Sequence, residues 1–232
     1  MEQGIKISKT EAAIIEVKTR DQTISGQWGK EREHRVTASH FGDIINSTDR
    51  RDMELLCKSI YESKDLSRIP AIRHGNTYEP IALKKFTEVT GKALKKSGFC
   101  VDPNMPFLGA SPDSFVQNED AVVEAKCPFV GRNQKISPGK NFNFLEKVVD
   151  GGHGQDHMRL KRNHKYFYQL VGQMKIAKKN IGYFIVYTYK DFFYEKVNLE
   201  EAEAIFNKML PKLSYFYYQH YLPYVASALK KK

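Results

Sequence analysis

Three features of the 232-residue chain predict an α/β fold built on a mixed sheet. Residues 77–90 carry Tyr78, Ala82, Phe86 and Val89 at helical spacing and stop at Gly91. Two apolar stretches, 108–116 and 121–127, flank the turn-rich Gln117-Asn118-Glu119-Asp120 and read as a hairpin. Ile181 to Thr188 is short, apolar and aromatic, and reads as a buried strand. Helices and strands that alternate in this way favour a sheet flanked by helices.

The remaining elements follow in chain order. Residues 1–27 read as an N-terminal extension. Thr37 is placed to cap a short helix over 38–46. A further short helix is expected over 55–61, and another over 166–178. Residues 192–197 would pair with the strand before them. A long helix from Leu199 closes the chain, kinked or broken at Pro211. No linker divides the chain, so a single domain over 1–232 is expected. It has an internal excursion over 131–163, where Pro138, Gly139, Gly151, Gly152 and Gly154 signal loops. The apolar piece 142–149 inside it is expected to be helical.

Charge narrows the function. Lys plus Arg number 37 and Asp plus Glu 27, giving +10, and the pI is about 9.3. Such a surface suits a polyanion, nucleic acid first and anionic membrane second. The membrane reading weakens because the longest apolar run, 181–189, is far too short to span a bilayer. The first twenty residues are charged throughout except for Ala12 to Ile15, so no secretory core is present. Cys57, Cys100 and Cys127 are scattered and suggest neither a disulfide framework nor a zinc pattern. An intracellular protein of cytoplasm or nucleus is expected, not a secreted one.

The hairpin carries the chemistry. Glu124 and Lys126 share a strand face, and Asp113 on the neighbouring strand can bring its carboxylate beside Glu124. Glu79, on the preceding helix, is a candidate third acid. Close carboxylates repel unless a cation joins them. Hard oxygen ligands suit Mg2+, with Mn2+ as a substitute. A metal held there activates water at a phosphodiester, and Lys126 can orient or deprotonate that water or stabilise the charged phosphorus centre. Asp followed by E-x-K also arises as a plain surface ion pair. The apolar run Val122-Val123 around Glu124 argues against that reading.

These residues resemble the PD-(D/E)xK nuclease core, with Pro112-Asp113 and Glu124-Ala125-Lys126 present as written. Their surroundings resemble the lambda exonuclease and YqaJ-type viral recombinase (alkaline exonuclease) family. Arg73-His74-Gly75 with Tyr78-Glu79 is similar to its "RG…YE" segment. The segments 108–113 and 123–128 are similar to its "SPDG" and "ELKCP". Residues 28–39 resemble its "W…R…TAS" opening, and 166–174 its glutamine-bearing helix. Ser114 stands where the family has glycine.

The resemblance implies a restriction-endonuclease-like core and a Mg2+-dependent 5′-to-3′ exodeoxyribonuclease acting on linear double-stranded DNA in recombination or repair. It implies Asp113, Glu124, the main-chain carbonyl of Ala125 and Glu79 as the metal set, and Lys126 as the catalytic lysine. Gln169 would position the water or Lys126, with Gln173 one turn later as the competing choice. Arg32, Ser39 and Ser111 would hold the 5′-phosphate of a DNA end. A predicted helix start at Ser39 attracts phosphate in its own right, and Arg32 adds a bidentate charge. A single-strand annealing protein and a homo-oligomer are partners the resemblance allows. The alternatives are a structure-specific endonuclease on the same core and a catalytically inactive DNA-binding recombination module.

Other candidates sit outside this set. His164 and Lys165 lie in a basic stretch that runs into Tyr166, Phe167 and Tyr168, suited either to DNA contact or to a solvated loop. Lys84, Lys85, Lys95 and Lys96 read as a solvated face that could widen a DNA channel. His153 and His157 have a helical zinc spacing, but their glycine neighbours argue against a helix. The aromatic run 215–218 reads as core or interface.

Overall fold

The computed structural model describes residues 6–21, 26–62, 68–149 and 157–230. The predicted α/β class is borne out: a five-stranded mixed sheet lies between helical layers. The polypeptide opens with helix α1, Lys9–Lys18, and α2, Gly26–Glu33. Strand β1, Val36–Thr37, leads into a 3₁₀ turn, Ala38–His40, and α3, Phe41–Ile45. Helices α4, Met53–Tyr61, and α5, Pro70–Thr90, follow. Next come β2, Leu94–Lys95, β3, Cys100–Val101, β4, Leu108–Ala110, β5, Ser114–Val116, and β6, Ala121–Lys126. The second half holds β7, Leu145–Val148, β8, His157–Leu160, α6, Lys165–Ile176, β9, Ile181–Tyr187, and β10, Phe192–Asn198. It ends in α7, Leu199–Phe216, a π-turn, Tyr217–Tyr221, and α8, Leu222–Lys230.

The main sheet runs β10-β9-β6-β5-β2. Strand β6 is central, parallel to β9 and antiparallel to β5. A strand enclosed on both faces must be almost wholly apolar, and the first five residues of β6 are buried. One core joins Val122, Phe184 and Val186 to α3, α6 and α7. The other joins Val123, Ala125, Tyr183 and Ile185 to Ala82 and Phe86 of α5. A smaller sheet, β1-β4-β3, pairs Val36 with Leu108 and Thr37 with Gly109. That pairing carries the turn after β1 to the end of β4, where Ser111 lies.

Two glycines set the helix spacing at this point. A Cβ on Gly172 of α6 would stand 2.5 Å from the Phe41 ring, and one on Gly42 would stand 2.2 Å from Lys165 Cβ. Both are too close for any other residue, so α6 can approach the turn after β1 only with hydrogen at these positions.

Several expectations are corrected. Helix α5 begins at Pro70, not Thr77, because proline suits the first helical position. It also passes through the exposed Pro80. The stretch 108–116 is divided: β4 belongs to the small sheet and β5 to the main one. The piece 142–149 holds a strand, not a helix, because β7 finds a long-range partner in β8. Helix α7 is neither stopped nor broken at Pro211, and the change to π-turn comes only at Tyr217. Within the expected extension, α1 forms on a Ser8–Glu11 capping box. It is tied down where Phe99 N donates to Thr19 Oγ1 at 2.7 Å. His157 lies in a strand, and His153 lies outside the described residues.

Candidate active site

The acids meet at the open end of β5 and β6. The backbone N–H of Asp113 donates to Val123 O at 3.1 Å, which sets Asp113 beside the middle of β6. Its Oδ2 accepts from Ala125 N at 2.7 Å. Glu124 is 1 % exposed and shares its sheet face with Lys126. The Lys126 ammonium donates to Glu124 Oε1 and lies 4.8 Å from the Tyr166 ring centroid. Gln173, also 1 % exposed, donates from Nε2 to Glu124 Oε2 at 2.5 Å and to Ser111 O at 3.3 Å.

The electrostatics are those of a crowded acidic site. Burial raises the Asp113 carboxyl well above its ordinary value, and Glu124 and Glu79 push it further. Burial, then Glu124, also raises Glu79. Burial works against charge on Lys126, but Glu124 and Asp113 outweigh it and hold the ammonium protonated. The neutral lysine that a nearby metal would favour is therefore not the form these acids select by themselves.

The residues present fit a hard cation. Among the described residues no three His, Cys, Asp or Glu side chains converge tightly enough to form a metal cage. Mg2+ does not need one: one or two carboxylates and several waters suffice. Asp113 and Glu124 supply the carboxylates. Gln173 Oε1 is buried and without a hydrogen-bond partner in the structure. An orphaned acceptor on a side chain that bonds Glu124 calls for a water.

A second cluster begins at Arg32. Its guanidinium stacks on the Trp28 ring at 4.3 Å and donates to Thr37 Oγ1 at 3.4 Å. Thr37 and Ser39 share a hydroxyl–hydroxyl bond of 2.9 Å. Trp28 Nε1 donates to Ser111 Oγ at 3.0 Å. Arg32 has no carboxylate partner among the described residues, and burial lowers its pKa to about 10. Nearby Arg35 shows the ordinary solution, with Nη1 2.6 Å from Glu31 Oε2. Thr37 caps the turn by position only, because its hydroxyl is engaged with Ser39.

The two clusters meet at Ser111, whose hydroxyl serves Trp28 and whose carbonyl serves Gln173. The structure thus brings together Arg32, Ser39, Ser111, Asp113, Glu124 and Lys126, with Glu79 close enough to act electrostatically. It does not bring Gln169 to the acids. The Gln169 side chain makes no hydrogen bond among the described residues, and Gln173, one turn further along α6, bonds Glu124 instead. His164 caps α6, its Nδ1 accepting from Tyr166 N at 3.2 Å, and burial lowers it to about 4. With Lys165 it lines a cleft of about 480 Å³ that also holds Arg50 and Arg51. Those two arginines were not singled out in the sequence, Trp28 was given no separate role, and Thr37 was read only as a helix cap.

A model of the YqaJ-like viral recombinase domain matches residues 27–180. Curated protein sequences give no match. Among solved structures, an alkaline exonuclease from Laribacter hongkongensis is similar, with a TM-score of 0.62 and 19 % identity over 89 % of this chain and 98 % of that one. A phage-related exonuclease from Haemophilus somnus 129PT gives 0.56 and 13 % over 85 % and 96 %. The shutoff and exonuclease protein of Kaposi's sarcoma-associated herpesvirus gives 0.57 and 13 % over 96 % and 76 %. These likenesses establish a restriction-endonuclease-like fold. With most of its length matched by the domain model, and with the PD…ExK residues in place on that fold, the chain belongs to the YqaJ-like viral recombinase domain family.

Proposed function

We propose that the chain is a metal-dependent deoxyribonuclease that shortens linear double-stranded DNA from 5′-phosphorylated ends, working 5′ to 3′. The observation that carries this reading is a pair of uncompensated charges joined through Ser111. On one side, Glu124 and Glu79 crowd the buried Asp113 carboxyl, a repulsion that a divalent cation would relieve. On the other, the half-buried Arg32 guanidinium has no carboxylate partner among the described residues. A terminal phosphate at Arg32 and a scissile phosphate at the acids satisfy both.

Asp113, Glu124 and the Ala125 carbonyl would hold Mg2+, or Mn2+ in its place. When bound, the ion supplies an activated water and neutralises charge growing on the phosphate. Gln173 clamps Glu124 with its N–H group and offers its free Oε1 to the attacking water. Lys126 brings positive charge to the phosphoryl oxygens as negative charge develops there. Glu79 adds outer negative charge that favours the cation. Arg32, Ser39 and Ser111 fix the terminal phosphate and so the register of the strand. The related structures crystallised with dAMP and with DNA support a nucleic-acid ligand.

Digestion of end-labelled linear DNA and covalently closed circles, with Mg2+ and with chelator, tests this reading. Linear DNA should be shortened from 5′-phosphate ends only when metal is present. Circles cut as fast as linear DNA would instead identify an endonuclease. Binding without cleavage of either would identify an inactive DNA-binding module.

A further inference from the structure

The molecule carries an aromatic cluster that the acids and the arginine pocket do not use. It begins one residue before Glu79. Tyr78 stacks with Tyr187 at 6.3 Å and 17°, and lies 4.9 Å from Tyr189. Phe129, three residues beyond Lys126, joins through His74. The Arg132 guanidinium covers Phe129 at 4.0 Å. The cluster is not closed core, since Tyr189 is 44 % exposed. It continues away from the acids into a cleft of about 420 Å³ between α5 and the β9–β10 turn, where Lys84, Lys85 and Lys190 stand around Tyr187 and Tyr189. Lys84 and Lys190 have no carboxylate partner among the described residues. Lys85 is 3.4 Å from Glu88.

Aromatic faces in front of unpaired lysines are what a single strand of nucleic acid needs. Bases stack on the rings whatever their identity, and the cations follow the backbone. A duplex cannot use the rings, because its bases already stack on each other. We infer that the surface made by Tyr78, Tyr187, Tyr189 and Phe129, with Lys84 and Lys190, binds the unpaired strand next to the scissile phosphate. This deepens the nuclease reading and rests on it. It assigns to the Lys84 face a task beyond solvation, and it makes separation of the duplex at the acids favourable by giving extruded bases a surface to cover.

The test uses the full chain with chelator and a fluorescent single strand of about twelve nucleotides, within the range such grooves accommodate. Tyr189→Ala should weaken its binding about tenfold, a typical loss for one stacked base. Tyr189→Phe, which keeps the ring, should restore it. A covalently closed circular duplex, which has no end to separate, should bind wild type and Tyr189→Ala alike. A strand of abasic sites should also bind both alike, because the ring then has nothing to stack on. Equal affinity of wild type and Tyr189→Ala for the normal strand overturns the inference, as does an equal loss on the abasic strand. Cleavage by wild type with Mg2+ is scored separately. Ring-dependent binding without cleavage leaves this surface standing and removes the nuclease reading. Cleavage without ring-dependent binding does the reverse.

Discussion

The acidic centre and the Arg32 pocket are built on opposite principles. At the centre, the two strand acids are held by direct hydrogen bonds: Asp113 by the Ala125 amide, Glu124 by Lys126 and Gln173. The order is tight, and the cost is mutual repulsion that raises the Asp113 carboxyl. In the pocket, the charged group is held by packing on Trp28 and a long bond to a hydroxyl. Here the order is loose and no carboxylate pairs with the guanidinium among the described residues. The first arrangement fixes atoms for chemistry, where small displacements are costly. The second keeps a guanidinium available for a ligand that arrives and leaves.

If that division is right, substitutions on the two sides should fail differently. Lys126→Ala should lower cleavage about a thousandfold while DNA binding measured with chelator stays close to wild type. Comparable cleavage by the variant would remove the lysine from the mechanism.

Arg32→Met should cost about a hundredfold on 5′-phosphorylated ends and far less on 5′-hydroxyl ends. It should not lower the melting temperature, since it removes a half-buried charge that has no carboxylate partner among the described residues and keeps an apolar chain against Trp28. Equal loss on both kinds of end would break the pocket assignment.

Gln173→Ala should reduce turnover about tenfold through a mispositioned Glu124 and water, whereas Gln169→Ala should leave turnover near wild type. The reverse order would restore Gln169 to the site.

The smallest effect concerns pH. His164 titrates near 4 in the folded chain, against an ordinary value of about 6.5. The unfolded chain therefore binds the extra proton first. The stability this residue contributes is present above about pH 6.5 and is lost as pH falls towards 4. His164→Asn, which still caps α6, should flatten the melting-temperature profile across that window.

The legibility of the two regions in the sequence also differs. Asp113, Glu124 and Lys126 were readable because strand alternation fixes which side chains share a face. An acid inside Val122-Val123 is also hard to explain otherwise. The choice between Gln169 and Gln173 was not readable, since both lie on one face of α6. What separates them is how far the helix slides along the sheet, and the close contacts at Gly172 and Gly42 set that position. Trp28 escaped because its partner, Ser111, is distant in sequence. Strand β7 escaped because it depends on a partner, β8, that is distant in sequence. Helix α1 had a local signal in Ser8 and Glu11 that its weak apolar pattern hid.

Helix α2, which carries Arg32, buries none of its own residues. Its last carbonyls are held from the other end of the chain. Tyr221 donates from its hydroxyl to Glu33 O at 2.8 Å, and Tyr217 to His34 O at 3.3 Å. The ribosome makes the acids and their lysine long before it makes these tyrosines. Until Tyr221 has emerged, a nascent chain has its acids and lysine but not the bonds that hold the end of the helix carrying Arg32. On the proposed reading the end-binding pocket matures last, and a polypeptide cut off before the π-turn would loosen that pocket while keeping its acids.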